Sequence, residues 1–245
     1  MHGISGIFLR EILVLKSRIW KVILSSSVSP LLFLLAFGFG IGKNSDIGGI
    51  NYVHFLIPGL ITMSSMNQAY GISTEINISR FYFKIFDEYL LAPVKRWQII
   101  AGESLYGVVK GLIPVLIVYI YGVFLNVGMR PGFLFIISLI VHLLTFSLIG
   151  FIVALIVKNH GDQFSVNTFV MTPMIFLSGT FYPVEDMPAV IRYIAYFFPL
   201  TYSNRLIRSS LLGNGFSFYD FFLLFVMMVV LFFIAKKVID KVETI

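Results

Sequence analysis

Apolar residues along the chain gather into long runs separated by short polar breaks. They fall near 22–42, 53–75, 104–126, 133–157, 164–182 and 217–236. Each is close to the ~20 residues that carry a helix across the hydrocarbon core of a bilayer. In hydrocarbon every backbone N–H and C=O must pair within its own segment, so runs of this kind predict helices. The pattern reads as an all-α integral membrane fold with six transmembrane helices.

Two other segments follow a different pattern. Over residues 7–21, Phe8, Ile12, Leu15 and Ile19 fall on one face of a helix, and Arg10, Glu11, Ser17, Arg18 and Lys21 on the other. Such a segment predicts an N-terminal amphipathic helix, residues 1–21, lying in the membrane interface; Lys16 interrupts its apolar arc and can snorkel to the headgroups. Between the fifth and sixth runs, residues 183–216 hold Pro183, Pro188 and Pro199 around a short apolar stretch, Ala189 to Phe198. That stretch is too short to cross. Pro188 suits a helix start, Pro199 ends one helix, and a second helix from about Thr201 to Leu212 stops at Gly213, Asn214 and Gly215. This predicts an external re-entrant helix pair. The links 43–52, 127–132 and 158–163 are short, whereas 76–103 is long and charged. The whole, 1–245, reads as one membrane domain.

Composition agrees with a lipid environment: 58% of residues are hydrophobic, only 12% are charged, and mean hydropathy is +0.92. With no cysteine, disulfides, thiolate metal sites and cysteine nucleophiles are excluded. The net charge of +6 sits beside the apolar runs, so it fits anionic lipid headgroups and gives no reason to expect nucleic acid. Its distribution also predicts orientation. Arg10, Lys16, Arg18, Lys21, Arg80, Lys84, Lys95, Arg96, Lys158, Lys236, Lys237 and Lys241 fall on one side, against Lys43, Arg130, Arg192, Arg205 and Arg208 on the other. By the positive-inside rule both termini face the cytoplasm. The first run has no small-residue cleavage pattern and reads as a retained span.

Candidate chemistry is sparse. Gly38, Gly40, Gly42 and Lys43 resemble a phosphate-binding loop, but Phe37 stands where its first glycine belongs and Asn44 follows the lysine. His2, His54, His142 and His160 show no ligand spacing, and no metal is expected. Glu103 and Lys110 share a helix face seven residues apart, His142 lies mid-span, and Glu75 closes the second run. Ionisable groups at such depths raise a functional reading by default, yet Glu75 and Glu103 sit near a span border, where structural roles suffice. The 80–92 segment says more. Phe83, Lys84, Phe86, Asp87, Glu88 and Tyr89 mix charge with aromatic anchors outside the bilayer. Two readings fit: a docking surface for a protein partner, or a helix resting on headgroups.

The order of features resembles the ABC-2 type permease family, the membrane subunits of a class of ABC exporters, over essentially the whole chain. The resemblance is carried by Ser29-Pro30-Leu31-Leu32-Phe33, Phe55-Leu56-Ile57-Pro58-Gly59, Tyr89-Leu90-Leu91-Ala92-Pro93, and above all Phe176-Leu177-Ser178-Gly179-Thr180-Phe181-Tyr182-Pro183 with Phe198-Pro199-Leu200-Thr201-Tyr202. Drug-exporter and nodulation-type lipo-oligosaccharide-exporter permeases are the nearest in pattern. The resemblance implies six spans per subunit, a second permease subunit forming a homodimer, and a separate ATPase subunit that binds ATP and Mg²⁺. No cofactor is then expected in this chain, and no catalytic residue. It also implies that the 80–92 helix couples to the ATPase, and that amphiphilic substrate enters between spans one and five. Phe176, Phe181, Tyr182, Phe197 and Phe198 are candidates for the substrate path; as interfacial aromatics they equally fit an ordinary membrane belt. The rival reading is an ion-coupled secondary transporter. Carriers often show an internal repeat with broken helices in matching positions, and none is evident.

Overall fold

The computed structural model describes residues 2–42, 46–47, 49–213 and 215–242. Lys43, Asn44, Gly48 and Asn214, which figured in the expected links and phosphate-loop pattern, lie outside them. Among the described residues, four helices are long and apolar enough to cross a membrane. The first is α1 (His2–Phe33) with its π-helical extension Leu34–Ile41. The others are α5 (Arg96–Phe124), α6 (Phe133–Ile156) and α11 (Phe218–Asp240).

The expected second span is α2 (Tyr52–Tyr70), which stops at Gly71; α3 (Ile72–Phe81) follows after that residue. The expected fifth span is interrupted. It runs as α7 (His160–Val166), a π turn (Asn167–Met171) and α8 (Thr172–Leu177). Pro173 explains the interruption: it lacks the N–H an α-helix needs there and its ring crowds the preceding turn. The ladder widens instead, and the Thr172 amide and hydroxyl both bond to the Asn167 carbonyl.

Helix α2 is the hub, with 15 of its 19 residues buried. Its polar positions, such as Thr62, Ser65 and Gln68, face protein rather than lipid, which is why it is less apolar than the outer helices. Close approach is made by small residues. Gly107 and Gly111 of α5 lie against Ala69 and Ser65 of α2 and Ser147 and Leu143 of α6, and a Cβ at either glycine would collide with them.

The expected break between an interfacial helix and the first span is absent. Helix α1 runs unbroken through residue 21, with Gly3 against Val94 and Gln98, Ile7 against Gly102, and the Ser27 carbonyl accepting from Tyr121. The apolar face read from the sequence is real, but it packs on protein. Ile7 and Leu15, flanked by Phe8, Ile12 and Ile19, join a core with Ile72, Ile99, Phe151 and Ile239. Glu11, assigned to the polar face, is buried.

Both described chain ends lie at one end of the bundle: Gly3 meets Gln98, and Arg96 bonds to the Ile239 carbonyl. A small hairpin, β1 (Asp46–Ile47) paired antiparallel with β2 (Ile50–Asn51), belongs to the opposite end. There the 183–216 segment forms a 3₁₀ turn (Val184–Asp186), α9 (Ala189–Ala195) and α10 (Pro199–Leu212), with Gly213 in the left-handed region at φ 75°. Two helices thus form where the proline and glycine pattern expected them. Leu200, Leu206, Ile207 and Leu211 of α10 are fully buried.

Candidate functional site

At the terminal end, α3 and α4 (Ile85–Leu91) are separate helices rather than one 80–92 helix. Lys84, at φ 54°, occupies the left-handed region, so the helix breaks there. It makes no ion pair with Glu88 among the described residues. The turn is strapped to the bundle. Arg80 donates to the Ala154 carbonyl and lies over the Phe86 ring. Tyr82 stacks on His160 with ring centroids 5.4 Å apart. Tyr89 donates to Glu11 Oε1 at 3.2 Å, and Glu11 also pairs with Arg10. Burial, with the Glu103 and Glu11 carboxylates nearby, pushes the Tyr89 hydroxyl up, so it remains a donor.

This arrangement corrects one expectation. Phe86 is 1% exposed and packs on Phe151, so it cannot meet a partner directly. Tyr89 is half-buried against α1. The exposed set is Tyr82, Phe83, Lys84, Glu88 and Leu91, with Phe83 63% exposed and Asp87 half-buried beside it. The exposed apolar groups therefore lie in the turn before α4, at Tyr82 and Phe83, and at its last residue, Leu91.

Buried charge lies just beneath. Lys110 Nζ is 3.2 Å from Glu75 Oε1, and Tyr106 donates to Glu75 Oε2 at 2.7 Å. Lys110 therefore pairs across helices with Glu75, not along its own helix with Glu103. His142 is fully buried, with Nε2 3.0 Å from Ser65 Oγ. Among the described residues no three His, Asp or Glu side chains gather as a metal ligand set.

At the hairpin end, three of the substrate-path candidates come together. Phe176, Phe181 and Tyr182 line a pocket of about 300 Å³ with Phe37, Ile47 and Tyr52. Phe181 is 2% exposed and packs on Phe33, Phe37 and Phe176; the Tyr52 hydroxyl donates to its carbonyl at 2.9 Å. Phe197 and Phe198 are not in this pocket. Phe197 is 81% exposed after α9, and Phe198 packs on the core.

The Leu-Ser-Gly-Thr-Phe stretch, whose Phe181 lines the pocket, is held in place by contacts the sequence did not disclose. Asn204 of α10 donates to the Ser178 carbonyl at 2.8 Å and to Thr180 Oγ1 at 3.1 Å, and accepts from Thr62. Arg208 donates to the carbonyls of Gly179 at 2.9 Å and Phe55 at 3.2 Å. Gly179 supplies φ 79° for the turn. Gly59 has no Cβ to strike the Thr180 carbonyl. Asn204 and Arg208 are four apart on α10, a spacing that puts both on one face; that was the available signal.

Residues 4–212 match the family model described as "ABC-2 type transporter". The chain belongs to the ABC-2 type transporter family. Members are transport components. The chain is 30% identical over 199 residues to the inner membrane transport permease YadH of Escherichia coli (strain K12), covering 80% of this chain and 78% of that one. It is 26% identical over 212 residues to nodulation protein J of Rhizobium leguminosarum bv. viciae, covering 85% and 82%. It is 27% identical over 222 residues to the putative transport permease ycf38 of Cyanophora paradoxa, covering 83% and 75%. In this ABC-2 chain, the family match runs from the first turns of α1 to the end of α10 and so takes in both the strapped turn and the aromatic pocket.

Proposed function

We propose that this chain is the transmembrane permease subunit of an ATP-driven exporter that moves an amphiphilic or hydrophobic molecule, a drug, lipid or glycolipid, out of the cytoplasm or inner leaflet. On this reading the chain crosses six times in one transmembrane domain, α2 and the α7–α8 segment being the two crossings protected by protein. The lysine and arginine asymmetry puts the terminal end in the cytoplasm, and the α9–α10 pair dips in from outside as a re-entrant element. ATP and Mg²⁺ bind a separate ATPase subunit.

The observation that carries the reading is the α3–α4 turn. It is fastened to α1, α6 and α7 by Tyr89, Arg80, Phe86 and Tyr82, yet leaves Phe83, Lys84 and Leu91 exposed. A turn so fastened transmits a push from a docked partner into the bundle instead of yielding locally. Closure of the ATPase would move it as a lever and tilt α1 and α6 together. A second copy of the chain fits the exposed face of α1, where Ser25, Val28, Ser29 and Leu32 line a shallow surface pocket of about 490 Å³. That face adjoins the aromatic pocket through Phe37. An amphiphile's path would run along this seam.

Co-purification with the partner ATPase tests the proposal. The complex should hydrolyse ATP, with hydrolysis stimulated by amphiphiles, while this chain alone neither binds nor hydrolyses it. The ion-coupled alternative draws on buried Glu103 and the Glu75–Lys110 pair; it requires transport that persists without ATP and stops when the ion gradient collapses.

A further inference from the structure

Helices α5, α6 and α11 enclose a groove of about 470 Å³ that none of the roles above uses. Ala101 and Ser104 of α5, Leu148 of α6, and Val229, Phe232 and Phe233 of α11 line it. All three helices are long and apolar enough to span a membrane, so the open side of the groove faces hydrocarbon. Its only polar side chain is Ser104, whose hydroxyl is buried without a hydrogen-bond partner.

The groove has a charged mouth. Lys236 and Lys237 stand one helical turn beyond Phe232 and Phe233, on the same faces of α11, and both are exposed. Neither forms an ion pair among the described residues. The nearby carboxylate, Asp240, lies 3.5 Å from Arg96, which also bonds to the Ile239 carbonyl. Among the described residues, then, two exposed lysines stand unpaired at the end of an apolar channel. Trp97, one turn before Ala101 on α5, is 42% exposed at the same level, in the manner of an interfacial anchor.

We propose that this groove binds one anionic phospholipid, its acyl chain lying between α5 and α11 and its phosphate on Lys236 and Lys237. The division of labour follows from the solvent. A lipid tail gains little by leaving other tails for an apolar groove, because bulk lipid is as apolar as leucine. The chain therefore fixes position, and the two lysines supply the preference for negative charge. The leaflet concerned is the cytoplasmic one on the orientation proposed above; the site itself rests on the groove and its mouth.

Trp20 and Trp97 are the only tryptophans, so Trp20→Phe leaves a single reporter at the mouth. The full chain is placed in symmetric phosphatidylcholine vesicles containing brominated-chain phosphatidylglycerol or brominated-chain phosphatidylcholine. Symmetric vesicles make the result independent of orientation. Trp97 emission should be quenched at about tenfold lower mole fraction by the anionic lipid. Lys236→Glu with Lys237→Glu should remove that preference and leave the phosphatidylcholine curve unchanged. Ser104→Phe, filling the groove, should lower the limiting quenching by both lipids. Equal curves for the two lipids in the parent, or a preference that survives the lysine changes, would overturn the proposal. So would the absence of quenching by either lipid, which would mean that protein, such as a second copy, covers the groove.

Discussion

At the scale of single residues, Asn204 and Arg208 explain why the Leu-Ser-Gly-Thr turn holds its shape in a lipid-facing protein. The carbonyls of Ser178 and Gly179 and the Thr180 hydroxyl oxygen all accept hydrogen bonds from these two side chains. Buried groups left without partners cost ~1–3 kcal/mol each in water-soluble proteins, but interhelical hydrogen bonds in membranes average nearer ~0.6 kcal/mol. Asn204→Ala removes three at once and leaves a small cavity, so we expect a loss of about 2 kcal/mol in unfolding measured in micelles, with transport falling in parallel. A loss below ~0.5 kcal/mol would mean that Arg208 alone holds the turn. The Glu75–Lys110 pair behaves as a unit. Lys110→Met alone leaves Glu75 without its cation, but that carboxylate is about a third exposed and keeps the Tyr106 hydroxyl, so the loss should be about 1–2 kcal/mol. Adding Glu75→Gln should recover much of that loss in the same unfolding measurement; additive losses would show that the two side chains do not act as a pair.

At the scale of elements, the instructive pair is Phe83 and Phe86. Phe86→Ala cuts a cavity beside Phe151 and should lower stability by about 3–5 kcal/mol, reducing yield before any docking is tested. Phe83 is mostly exposed and only edges a cleft with Arg10, Glu11 and Ile85, so Phe83→Ala should leave stability within ~0.5 kcal/mol. If the turn docks the ATPase, Phe83→Ala should nonetheless weaken its capture about tenfold, the effect of a modest hot spot. Unchanged capture would leave the turn resting on headgroups.

Much at this scale was legible in the chain. The apolar period located α6 and the start of α11 to within a residue, though α11 runs four residues past the expected end, and proline and glycine punctuation found α9 and α10. What escaped was decided by contacts distant in sequence. The amphipathic face of 7–21 had the right residues, but a helical wheel cannot tell headgroups from the side of α5. The aromatic run at 81–89 looked like one continuous surface because nothing local announces that Lys84 turns left-handed. Nor does sequence distance suggest that Phe86 reaches Phe151. Of the five aromatic path candidates, Phe176, Phe181 and Tyr182 met in one pocket because Gly59 and Gly179 fold their loop onto α2. Phe197 and Phe198 lie beyond α9 and did not.

At the scale of the whole molecule, the α3–α4 turn acts, in the proposed function, as a lever on a bundle packed around α2, whose buried side is mostly apolar with a few polar positions such as Thr62 and Ser65. The turn between α3 and α4 touches α1, α6 and α7, and α1 carries the exposed seam that leads to Phe37 and the aromatic pocket. Motion delivered at one end therefore has a continuous packed route to the other. The most direct test replaces Phe83 with a photo-crosslinking phenylalanine derivative in cells that also express the partner ATPase. A crosslink to the ATPase is expected from position 83, and none from the same probe at Phe176 near the opposite end. Because the ATPase is confined to the cytoplasm, that result would fix the orientation as well. Crosslinks from position 83 to lipid alone, or to the ATPase from position 176, would contradict it.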